Sequence, residues 1–122
     1  MLIDQIKQRM FAAMKAHDVA RLRARVMEGA SIIRVRAAED GRIEHGIVSD
    51  VAFIAGTAGD ASAQVDERFT QTPDVRIDGP VASLWGPYEV FVDGQRLHCG
   101  VDVVALARLD GRWQVTAFVA GD

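Results

Sequence analysis

The sequence predicts an α+β fold in which N-terminal helices pack on a strongly curved antiparallel sheet, together closing into a cone. Two observations lead there. Helical spacing is confined to the first half, where Ile3, Ile6, Met10 and Met14 recur three or four apart. The stretch from Pro73 to Asp122 instead alternates and is cut by Asp-Gly pairs at 78 to 79, 93 to 94 and 110 to 111. Asp-Gly between β-rich runs is the strongest short-range hairpin signal, because both residues tolerate the positive φ a tight turn needs.

The elements follow in order. One amphipathic helix runs from about Leu2 to His17, with Lys7, Gln8 and Lys15 off its apolar stripe. Asp18 caps a second, shorter helix through Val19, Leu22 and Val26, which Gly29 stops; Arg21, Arg23 and Arg25 read as its solvated surface. Ser31 to Ala37 alternates, with Ile33 and Val35 on one face and Arg34 and Arg36 on the other. It turns at Asp40-Gly41 into Arg42 to Val48, so the sheet takes strands from both halves of the chain. Ser49-Asp50 caps a third helix through Val51, Phe53 and Ile54 that ends near Gly56, and Thr57 to Ala63 reads as a mobile loop. Strands follow at Val65 to Thr70, Val75 to Ile77, Val81 to Val92, Leu97 to Leu109 and Trp113 to Val119.

Register decides which side chains look inward. A two-residue turn at Asp93-Gly94 pairs Val92 with Gln95, Val90 with Leu97, Glu89 with His98 and Tyr88 with Cys99. One face then carries Tyr88, Val90, Leu97, Cys99, Val101, Val103 and Ala105, and the other Glu89, Phe91, His98 and Asp102. At Asp110-Gly111 a three-residue loop is expected, because it sets that apolar face against Trp113, Val115, Ala117 and Val119. Gly86-Pro87 implies a bulge or bend that curves the sheet around the helices and leaves room inside.

Composition narrows the function classes. At 122 residues the chain is expected to form a single domain, 1–122, and its 49% hydrophobic and 25% charged residues are those of an ordinary globular protein. A net charge of −3 gives no basic field for nucleic acid. Cys99 is the only cysteine, which excludes an internal disulfide and fits a reducing compartment. No apolar run is long enough for a membrane helix, so a cytoplasmic protein is expected. No glycine-rich phosphate loop or Ser-His-Asp order appears, and no cofactor is expected.

Helix, helix, hairpin, helix and curved meander, in that order, resemble the nuclear transport factor 2-like superfamily, which includes SnoaL-like cyclases and ketosteroid isomerases. The runs Val75-Arg76-Ile77-Asp78-Gly79, Trp85-Gly86-Pro87-Tyr88-Glu89 and His98-Cys99-Gly100-Val101-Asp102 are most similar to its lumazine-binding subset. The resemblance covers nearly the whole chain and implies a cystatin-like cone, a small hydrophobic ligand and a homodimer. Ketosteroid isomerases carry a tyrosine on the first helix, a carboxylate base on the first strand and an acid on a late strand. The matching positions here are Met10, Arg34 and Ala105, so the resemblance does not bring that chemistry with it.

The residues offer a pocket more readily than a catalytic group. His98 and Asp102 share a strand face but are separated by roughly 13 Å of strand. Glu89 opposite His98 reads as a cross-strand pair worth below about 1 kcal/mol rather than a general base. His98 and Cys99 point to opposite faces and form no nucleophile and base pair, and Cys99 reads as a small buried apolar residue. His17, His45 and His98 lack ligand spacing, so no metal is expected. Met10, Met14, Trp85, Tyr88 and Trp113, with Cys99, Val101 and Val103 from the same sheet face, are the candidate lining of a pocket for a flat apolar molecule. Two alternatives stay open: a cofactor-independent isomerase, cyclase or dehydratase using Tyr88, and a dimeric interaction module with a filled cone. Phe91, His98 and Asp102 on the other face are the expected homodimer surface.

Overall fold

The computed structural model describes residues 9, 11–58 and 65–121. Met10 and the start of the expected first helix lie outside them, as does most of the loop expected at 57–63. Residues 11–15 are helical, and the backbone bond from Asp18 N to Ala13 O (2.8 Å) closes that helix at His17, which takes a φ of 55°. Helix α1 (Val19–Arg25) follows, capped by the Asp18 carboxylate accepting from Arg21 N. It ends earlier than expected. Val26 is already extended, because it is buried in the sheet beside Val115, and Gly29, with φ 82°, falls where the ladder of β1 slips rather than at a helix end.

The sheet is built from β1 (Val26–Ala37), β2 (Ile43–Ser49), β3 (Val65–Phe69), β4 (Asp74–Asp78), β5 (Val81–Val92), β6 (Gln95–Leu109) and β7 (Arg112–Gly121), with α2 (Asp50–Ala58) between β2 and β3. Among the described residues the strand order is β2-β1-β7-β6-β5-β3, with β4 also on β5. All pairings are antiparallel except β1 with β7. Ser49 Oγ accepts from Ala52 N at 3.1 Å and caps α2, as its sequence implies.

Two registers differ from expectation, each through a bulge. At Asp93-Gly94 the turn has two residues with φ of 50° and 85°, and Val92 does meet Gln95. Phe91 then pairs with Arg96 but Val90 with His98, so Leu97 is an extra residue. Everything beyond shifts by one: Glu89 faces Cys99 and Tyr88 faces Gly100. At Asp110-Gly111 the turn also has two residues, both at positive φ, instead of a three-residue loop. The apolar match is recovered farther along, where Leu106 pairs with Val115 and Ala105 with Ala117, leaving Thr116 extra. Its Oγ1 donates to Ala105 O at 3.1 Å.

The face of the sheet toward the helices forms the core. Leu22 of α1 and Phe53 and Ile54 of α2 pack with Ile32, Leu84, Val104, Leu106, Val115 and Phe118. Phe11 meets Phe69 edge-on at 5.1 Å. Arg23, expected on a solvated surface, instead donates to Asp50 Oδ2 and to Val26 O, both at 2.7 Å, and ties α1 to α2 and β1. With the Arg23 guanidinium as its main partner and backbone N–H groups adding to it, the Asp50 carboxyl is held below its ordinary pKa. Among the described residues no helix is long and apolar enough to cross a membrane.

Candidate functional site

Alternation along each strand puts every second side chain on the helix side, and the described residues leave a space there. A cavity of about 520 Å³ remains there. Its floor is apolar: Met14 from the N-terminal helix, Phe53 from α2, Tyr88 and Val90 from β5, and Phe118 from β7 are all buried and all line it. Its less buried lining, the mouth, holds the charged and polar groups, Arg34 and Arg36 from β1, Glu44 from β2, Glu67 from β3 and His98 from β6, beside the apolar Val35, Val65, Val92 and Leu97. Arg36 and Glu44 neutralise each other across the β1 and β2 hairpin at 2.7 Å. The Tyr88 and His98 rings meet edge-on, centroids 5.7 Å apart and planes at 89°.

The β6 bulge explains which expected residues arrive here and which do not. Met14 and Tyr88 are brought together at the floor. Cys99 and Val103 are exposed on the outer face of the sheet, and Val101 shares their parity there, because the extra residue Leu97 turns β6 over relative to the unbulged register. Trp85 pairs with Val103 and is likewise exposed on the outer face. Trp113 packs against the core without lining the cavity. Met10 lies outside the described residues.

The same inversion dismantles the expected dimer surface. Asp102 is fully buried and His98 lines the cavity, and of the three only Phe91 stays outside, beneath the Arg68 guanidinium at 4.2 Å. Glu89 pairs with Arg96 at 3.4 Å, not with His98. In exchange the outer face carries an apolar row: Ile47, Ile33, Val119, Val103 and Trp85 are successive cross-strand partners over β2, β1, β7, β6 and β5.

The charged mouth escaped notice in the sequence, although its signal was there. Arg34 and Arg36 alternate with Ile33 and Val35, and the arginines follow the buried Ile32 inward to the cavity while Ile33 joins the outer row; Val35, between the two arginines, also borders the cavity. Phe53 reads in the sequence only as an apolar position of a short helix, and the expected register sets Phe118 on the face opposite Val115 and Val119, so neither points to a cavity. Among the described residues no three His, Cys, Asp or Glu side chains gather as a metal site would require.

No family model matches the chain, and no curated protein matches it in sequence. Solved structures do. A nuclear transport factor 2-like protein from Cytophaga hutchinsonii superposes with a TM-score of 0.74 at 15% identity, over 96% of this chain and 92% of its own. One of unknown function from Shewanella oneidensis gives 0.73 at 15% identity, over 98% and 96%. A protein of unknown function with a cystatin-like fold from Nostoc punctiforme gives 0.70 at 12% identity, over 98% and 86%. At such identities the likeness is one of fold.

Proposed function

We propose that this chain, built on the nuclear transport factor 2-like fold, binds a small, largely apolar or aromatic molecule inside its cone. The observation that carries the reading is the cavity of about 520 Å³ with a buried apolar floor and a polar mouth. Ligand sites are typically ~300–1,000 Å³, apolar, and furnished with a few polar groups that orient the guest. Tyr88 offers a ring to stack against, and Met14 a side chain that adapts to irregular shapes.

The test is native mass spectrometry of the protein purified from its own cells, beside an Ala120→Trp variant that plugs the cavity wall. A small molecule retained by the wild type and absent from a variant of unchanged melting temperature supports the reading. An adduct kept equally by both moves the binding elsewhere.

A second reading, proton transfer without a cofactor, is favoured by the contact of Tyr88 with His98 at the cavity wall, since both carry groups that donate and accept protons. We also propose a homodimer through the outer sheet face, with the row from Ile47 to Trp85 as its centre. Trp85 and Val103 are about half exposed there, more than a solvated sheet face needs. The exposed thiol of Cys99 suits a reducing compartment such as the cytoplasm.

A further inference from the structure

We propose that the ligand of this cavity is an apolar monocarboxylic acid whose carboxylate is held by Arg34, an assignment that rests on the cone being a binding site at all. The cavity is polarised along its depth. Its floor of Met14, Phe53, Val90 and Phe118 presents no formal charge, and the charged groups stand at the mouth. A guest with one charged end therefore enters with its apolar body down and its head at the rim.

Among the charges that the described residues place at the mouth, Arg34 is the cation without a described carboxylate beside it. Arg36 is engaged by Glu44 at 2.7 Å, whereas no carboxylate of the described residues lies within ion-pair distance of Arg34. The ladder also clears space for it. Its cross-strand neighbours are Gly46 on β2 and Ala120 on β7, and both line the cavity with it. A glycine and an alanine flanking an arginine leave its planar fork accessible from the cavity, where two N–H groups can donate to the two oxygens of one carboxylate.

The same mouth disfavours a second charge on the head, because Glu67 from β3 also lines it and a further negative group would meet its carboxylate.

Calorimetric titration with naphthoate and with naphthamide, its neutral isostere, tests this at neutral pH. The expected result is naphthoate binding to the wild type about tenfold or more tightly than naphthamide. Arg34→Gln should erase that preference, chiefly by weakening naphthoate, without lowering the melting temperature, and Arg34→Lys, which keeps the charge but not the planar fork, should retain only part of it. Equal affinities in the wild type, or a preference that survives in Arg34→Gln, overturn the head-group assignment and leave the pocket standing. Failure of both probes to bind the wild type overturns the pocket and this assignment together.

Discussion

Asp50 shows how one side chain links three elements. Its carboxylate is buried at the start of α2 and accepts a 2.7 Å hydrogen bond from Arg23, which also reaches Val26 O where α1 gives way to β1. The guanidinium lowers its pKa in the folded protein, so the unfolded chain binds its proton more readily. The stabilisation is then complete above the unfolded carboxyl value, about 4, and is lost as pH falls through the lower folded value. Urea titrations across that window should show the wild type losing stability on acidification, and Arg23→Gln should flatten this part of the profile. Parallel profiles for the two proteins would contradict it. In the sequence this pair was illegible: Arg23 lies among three alternating arginines, and only the meeting of α1 with α2 selects it.

At the scale of the element, β5 carries the structural switch. Its first half pairs with β4 and its second half with β3, and Gly86-Pro87 stands at the exchange. A Cβ on Gly86 would lie 2.7 Å from the Phe69 ring and 3.1 Å from Pro73 Cβ. The ring cannot swing away freely because Phe11 is packed against its edge. Gly86→Ala should therefore cost about 1–3 kcal/mol in denaturant titration, as overpacking of a core does, and Phe69→Leu in the same chain should recover part of that. An unchanged midpoint for the single variant would show that the close approach is not required. The sequence displayed this junction as a Gly-Pro break, and it displayed the hairpin turns as Asp-Gly pairs, because both depend on special backbone angles that few residues accept. Bulges leave no such mark. Leu97 and Thr116 are ordinary strand residues, and each adds one position to a strand, which suffices to shift a register. That is why Cys99, Val101 and Val103 were expected inside and lie outside, while His98 and Asp102 were expected outside and lie inside.

For the whole molecule, the apolar floor inside and the apolar row outside carry the two proposals separately, a small ligand for the one and a second copy of the chain for the other. Elements and their order were readable from periodicity and turns, and so was the cone, but the volume left inside depends on how far the helices reach along the sheet, which composition does not record. Val103→Glu, placed in the outer row beside Trp85, should convert the proposed dimer to monomers in sedimentation with the cavity intact; an unchanged sedimentation coefficient would remove this face from the interface. The central claim concerns the inner face, and the most direct measurement is a methyl-resolved nuclear magnetic resonance titration with naphthamide. The account predicts saturable shifts at Met14, Val90 and Ala120, which line the cavity, and none at Ile33, Val103 and Val119 on the outer row. Shifts confined to the outer row, or no saturable shift at the cavity methyls, would contradict it.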